Sequence, residues 1–260
     1  ITTKKGKAGK SRISYSGEYT MRLKPSYRDF NIMNSQEQMS VYREMRQKGW
    51  LNFADTYRSE SSGVYGKMYQ LMNTYDEHTH TWLLANTEAA EMEYLRGAEY
   101  RNTDWFDELF SNSIQHNHSI GISGGTDKLN FYGSVSAMVD PGWYEQSNVN
   151  RYTANMNVGY NLSENVSVSI ITSGSYRKQK APGTLGQTAD PVSGTVKRDF
   201  DINPYSFALN SSRTLDPTVS YTRNFAPFNI HHELANNYMN MDVADLKFQA
   251  ELKYRPIKPL

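Results

Sequence analysis

Three histidine pairs, one serine–lysine spacing and one glycine pair are the features of this sequence that could carry chemistry. His78 with His80 and His116 with His118 stand two apart, which on a strand points both rings the same way, while His231 adjoins His232. No carboxylate or third imidazole stands at a recognisable metal spacing from these pairs, so no metal centre is expected. Ser175-Tyr176-Arg177-Lys178 spells S-x-x-K, a nucleophile motif that needs a helical turn to bring serine to lysine. The residues around it alternate as a strand does, which sends positions 175 and 178 to opposite faces. Gly124-Gly125 falls in a hairpin rather than between a strand and a helix, so no phosphate cradle is expected there. Cysteine is absent, which removes thiolate sites and disulfides and leaves the compartment open. These residues specify no enzyme and no cofactor.

The elements around them are lean and polar. The chain has 260 residues, 38% of them hydrophobic, with a mean hydropathy of −0.72. Its 28 basic and 27 acidic side chains give a net charge of +1, so no field gathers nucleic acid. The longest apolar run is Trp82–Ala85, far short of the roughly 20 residues a membrane-spanning helix needs. Against that polarity stand 19 Tyr, 10 Phe and 4 Trp. The first residues, Ile1 to Lys10, have no signal-peptide core and read as a short β segment with a Gly-broken basic linker. Arg255–Leu260 reads as a turn, and both ends are expected to be cuts in a longer chain.

Six segments alternate with period two, at 11–23, 114–124, 129–139, 150–162, 164–178 and 243–255. In the first, Ile13, Tyr15, Tyr19 and Met21 oppose Ser14, Ser16, Glu18 and Thr20. In the last, Leu246, Phe248, Ala250, Leu252 and Tyr254 oppose Asp245, Lys247, Gln249, Glu251 and Lys253. Ile171 breaks the pattern of the fifth. Each is close to the roughly 9–11 residues of a tilted transmembrane strand. Their polar faces are rich in Ser, Thr and Asn, and tyrosines recur near their ends. Short turns at Gly125–Lys128 and Ser163–Glu164 alternate with long excursions at 24–113, 140–149 and 179–242, so all long connections emerge on one side. That is the asymmetry of an outer-membrane barrel, and six strands in lipid must be one arc of a larger closed one.

The excursions carry the binding candidates. The first contains 14 acidic and 9 basic side chains and two expected helices. One is opened by a capping box at Ser35–Gln38 and ends near Gly49; the other runs from Thr87 to Arg96 and closes at Gly97. The third, rich in Pro, Gly and Ser, reads as an irregular binding loop. Trp82, Trp143, Tyr144, Tyr205 and Tyr221 are the candidate substrate-binding residues, by stacking; simple packing of the loops is the competing reading.

The same residues resemble the SusC-like (SusC/RagA) TonB-dependent outer-membrane transporters. The resemblance lies in Ile1–Gly9, in Asn102-Thr103-Asp104-Trp105 with Asp107-Glu108-Leu109-Phe110, and in His118–Tyr132 with Ser123-Gly124-Gly125-Thr126 and Asn130-Phe131-Tyr132. Arg151-Tyr152-Thr153 also fits. It runs in order from Ile1 to about Tyr176 and is weak beyond Gln179 until the last strand. It implies an all-β fold: a transmembrane antiparallel barrel of about 22 strands, with residues 1–10 ending a plug domain and 11–260 forming the first six strands. It also implies a SusD-like surface lipoprotein as lid, TonB acting through a segment outside this chain, outer-membrane lipid around the strands, and a glycan or peptide as cargo. Two other readings stand beside it. One is a soluble secreted β-sandwich that binds carbohydrate, and the other is a siderophore-type receptor.

Overall fold

The computed structural model describes residues 9–51, 63–189, 196–223 and 226–256. Twelve strands occur among them: β1 Gly9–Arg22, β2 Tyr75–Asp76, β3 Thr81–Trp82, β4 Ser113–Gly125, β5 Leu129–Asp140, β6 Val149–Asn161, β7 Val166–Pro182, β8 Thr184–Ala189, β9 Val196–Asp201, β10 Tyr221–Arg223, β11 Ala226–Phe228 and β12 Tyr238–Tyr254. The β segment expected within Ile1–Ala8, the final residues 257–260 and the loop positions Pro191 and Phe225 lie outside the described residues. The chain divides into two compact units, one of residues 1–23, 112–181 and 239–260, the other of residues 24–111 and 182–238.

The first unit is one antiparallel sheet in the order β1-β4-β5-β6-β7-β12. It forms no closed barrel within this chain. Strict alternation sets its register, because a slip of one residue would exchange the two faces. Ile13 pairs with Ile122, Ile122 with Gly133, Gly133 with Met156 and Met156 with Thr172, a row on the apolar face. One step along, Ser14, Gly121, Ser134, Asn155 and Ser173 form the matching row on the polar face. Ile171 pairs with Asn157 and falls on the polar face. β12 begins at Tyr238, ahead of the expected residue 243, and β7 continues to Pro182. Ser175 and Lys178 both lie on β7, on opposite faces.

Among the described residues the sheet fully buries no hydrophobic side chain. Leu246 is 82% exposed, Ile13 75% and Phe248 68%. In water each such side chain would forgo about 1.5–3 kcal/mol of burial, and so wide a patch is rare on a soluble monomer. Tyrosines bound this face. Tyr152 and Tyr176 pair near the end with the long connections, and Tyr160 lies near the other end. From Tyr152 to Tyr160 is about 27 Å along a strand at about 3.4 Å per residue, or roughly 20 Å once a barrel tilt of about 40° is allowed for. That approaches the roughly 25 Å apolar band of an outer-membrane barrel.

The second unit holds the buried apolar side chains. Met39, Tyr42, Val64, Tyr65, Met68 and Ala98 pack helices Ser35–Gln47, Gly63–Met72 and Glu88–Arg101 together. The expected capping box is displaced by one residue. Asn34 is the N-cap: its side chain accepts from the Glu37 amide, and Glu37 accepts from the Asn34 amide. Ser35 is thereby free to donate to the Glu99 carbonyl (2.5 Å) and accept from the Asn102 amide (3.1 Å), pinning one helix start to another helix end. The Glu88–Arg101 helix passes through Gly97, where its expected end lay, and stops at Asn102 in the left-handed conformation (φ 48°). Arg46–Glu91 at 2.7 Å ties its first turns to the first helix, and Arg43–Glu99 at 2.9 Å ties it again beyond the glycine.

The two long excursions form this unit jointly. Thr103 donates from its amide to the Arg213 carbonyl (2.9 Å) and from its hydroxyl to the Leu215 carbonyl (2.6 Å). Trp105 Nε1 donates to the Ser212 carbonyl (3.0 Å), Arg101 to the Thr214 carbonyl (2.5 Å), and the Arg213 guanidinium covers the Tyr27 ring at 4.3 Å. Residues 211, 212, 214 and 215 are buried. The expected irregular loop is therefore, through this stretch, a strap satisfied bond by bond.

Candidate functional site

Trp82 stands on a tight hairpin. It pairs with Tyr75 across β2 and β3, and the two rings meet edge to face with centroids 5.4 Å apart. Asp76 organises the turn, accepting from the His78 amide and the Thr79 hydroxyl, each at 2.9 Å. Those bonds hold its carboxyl below the ordinary carboxylate range. His80 closes the turn with φ 53°. The hairpin is tied to the preceding helix by Leu83 N donating to the Thr74 carbonyl and Leu84 N to the Leu71 carbonyl. Trp82 remains 53% exposed, a ring held open on a rigid support.

Trp143 and Tyr144 occupy the loop between β5 and β6. Asp140 anchors it, accepting from the Gly142 amide (3.0 Å) and pairing with Arg22 at 2.6 Å, while Arg22 also donates to Gln115. Ser147 Oγ accepts from the Trp143 and Tyr144 amides, and Trp143 Nε1 donates to the Leu23 carbonyl at 3.1 Å. Both rings are half-buried, and burial raises the Tyr144 hydroxyl above the usual phenol value.

Tyr221 is half-buried, whereas Tyr205 meets other rings and still keeps 37% of its surface exposed. Tyr205 meets Phe30, Phe106 and Phe110, with centroids 6.5, 5.9 and 6.2 Å away. Tyr221 accepts the Asp216 amide proton at 2.8 Å and lines a small apolar cavity of about 30 Å³ with Trp105, Phe207, Leu215, Phe228 and Ile230. Burial raises the Tyr221 hydroxyl, outweighing that hydrogen bond. Burial also pulls Asp216 upward, but bonds from the Thr218 hydroxyl and amide and the charge of Arg101 leave it lowered.

Trp82, Tyr205 and Tyr221 thus belong to the unit of the two long excursions, and Trp143 and Tyr144 to the unit of the sheet. Sequence reasoning missed Tyr75, which completes the Trp82 pair. Its signal was an Asp followed by Thr and His between two aromatics, the mark of a turn stabilised by its own side chain. Among the described residues no group of three or more His, Asp or Glu side chains could hold a metal ion. His78 lies in the hairpin turn rather than on a strand, and His231 Nε2 stands 3.7 Å from Glu108.

No family model matches the chain. Over 107 residues it is 29% identical to TonB-dependent receptor P3 of Formosa agariphila, a stretch covering 41% of this chain and 10% of that receptor. Over 63 residues it is 33% identical to TonB-dependent receptor SusC of Bacteroides thetaiotaomicron, covering 24% of this chain and 6% of SusC. Two solved structures share its fold over 98% of its length: the RagAB peptide importer in a closed-closed state (TM-score 0.59, 18% identity) and the RagAB peptide transporter (TM-score 0.62, 17% identity). The chain spans 27% of the RagAB chain in each. In fold the chain resembles part of these TonB-dependent barrels. The chain is SusC/RagA-like, and the relatives it matches are receptors and transporters rather than enzymes.

Proposed function

We propose that this chain forms six membrane-crossing strands of an outer-membrane importer, with residues 1–10 ending a plug domain and 11–260 forming the barrel arc and its external module. The Ser-, Thr- and Asn-rich face lines the lumen, and the long excursions face outward. The barrel works with a SusD-like surface lipoprotein, and TonB, engaging a segment outside this chain, drives uptake of a glycan or oligopeptide. RagAB is described as a peptide importer, which keeps peptide beside glycan as cargo. Binding is noncovalent. Trp82, Trp143, Tyr144, Tyr205 and Tyr221 are the proposed cargo contacts, Trp82 foremost because its ring is the most open.

The observation that carries this reading is the apolar face of the sheet, uncovered between two levels of tyrosine. In hydrocarbon that exposure costs nothing, while the open edges of β1 and β12 require further strands. The test uses the full-length protein. Expected are outer-membrane fractionation, extraction only by detergent, a heat-modifiable gel mobility, and cargo uptake reduced about tenfold by Trp82→Ala. A full-length protein that is folded and monomeric in buffer without detergent overturns the reading in favour of the soluble sandwich.

A further inference from the structure

The apolar face carries a polar island near the end with the long connections. Tyr19 pairs with His116 and Gly17 with His118, so alternation sets both imidazoles among Ile114, Ile120 and Ile122. The rings of Tyr19, His116 and His118 stand 5.2 to 6.3 Å from one another. Tyr15 Oη lies 2.7 Å from His118 Nδ1, which commits that nitrogen and leaves Nε2 for another partner. Gly17 makes this possible, since a Cβ there would come within 3.0 Å of Tyr15 Oη. His116 Nδ1 is shut off from water without a partner. Imidazoles on a lipid-facing surface are costly unless something polar meets them there.

A second feature adjoins the island. His118 also lines a trough of about 640 Å³ whose lining includes Val135, Ala137, Ala154, Gly174, Tyr152 and Tyr176. In register, Ala137 faces Tyr152 and Ala154 faces Gly174, so small residues leave a channel beside the bulkier rings. An apolar trough with hydrogen-bond donors at one end has the polarity of a single lipid molecule.

We infer that island and trough form one site for an anionic phospholipid, its acyl chain lying over Ala137, Ala154 and Gly174 and its phosphate accepting from His116, His118 and Tyr19. The inference rests on the membrane reading above. The source of phosphate is a lipid rather than the free ion, because the trough is continuous with the donors.

The experiment takes the delipidated full-length protein in detergent and titrates phosphatidylglycerol, digalactosyl diacylglycerol and inorganic phosphate, counting retained lipid by native mass spectrometry. Expected is one tightly retained phosphatidylglycerol, at least tenfold weaker in a His116→Ala/His118→Ala variant and in Ala154→Phe, which fills the trough at an exposed position. Equal retention by the variants, equal retention of the galactolipid, or displacement by inorganic phosphate alone overturns the site. Ala154→Phe decides the matter if the double variant does not fold. A protein that needs no detergent sinks the membrane reading itself, whereas a detergent-dependent protein without selective retention sinks only the lipid site.

Discussion

Gln38 holds Ser212 across the two long excursions: its Oε1 accepts the Ser212 hydroxyl at 2.8 Å and the neighbouring Arg213 amide at 2.9 Å. Gln38→Leu leaves the Arg213 amide without this acceptor and the Ser212 hydroxyl with Thr214 Oγ1 at 2.7 Å in its place. At about 1–3 kcal/mol per unsatisfied buried group, the expected loss is about 1–3 kcal/mol, confined to this unit. Limited proteolysis checks it: new cuts should open together in 24–111 and 196–238 while the heat-modifiable mobility of the barrel persists.

Gly142 has φ 86°, and a Cβ there would overlap Ser147. Gly142→Ala should therefore cost about 1–3 kcal/mol locally and release the Ser147 hydroxyl from the Trp143 and Tyr144 amides. Faster chymotryptic cleavage after Trp143 or Tyr144 is the readout. An unchanged rate would mean that the turn accommodates the methyl group.

The Asp76 carboxyl is depressed by the His78 amide first and the Thr79 hydroxyl second. A depressed carboxylate stabilises fully above its unfolded value of about 3.9 and loses that contribution as pH falls through its lower folded value. The hairpin should therefore keep its Trp82 fluorescence through mildly acidic pH and lose it only below about 3.9. Asp76→Asn should abolish that transition, measured as the difference from a Trp82→Phe reference.

Met156 and Asn155 are consecutive on β6 and face opposite ways. Arginine near the bilayer midplane costs about 2–4 kcal/mol on the lipid face and far less in a wet lumen. Met156→Arg should depress the folded fraction in detergent and in the outer membrane, while Asn155→Arg should assemble normally. Equal tolerance of the two would argue against lipid on the Met156 side.

The sheet was legible because its information is local. Period two over Ile13–Met21, Leu129–Val139 and Tyr152–Tyr160 fixes which side each residue takes, and the observed pairing follows it, with Ile171 out of place as the sequence shows. The second unit was not legible, because what orders it lies far off in sequence. Ser35 looks like a cap and serves as a clamp; Gly97 looks like a stop, yet Glu99 beyond it is paired with Arg43 on another helix. Thr103 and Ser212 look like ordinary loop residues and bury their hydroxyls in a shared network. Of the site, the exposed ring of Trp82 could be named from its type, but the ring contacts of Tyr205 and the half-buried setting of Tyr221 depend on partners that composition does not reveal.

The strap at Ser211–Leu215 also dictates an order of events. Gln38 waits for Ser212 across a sequence separation of 174 residues, and four sheet strands are synthesised in between. Closing so long a loop is slow and entropically costly. The earlier excursion therefore cannot complete its share of the buried network until Ser212 exists, after the four intervening strands have been made.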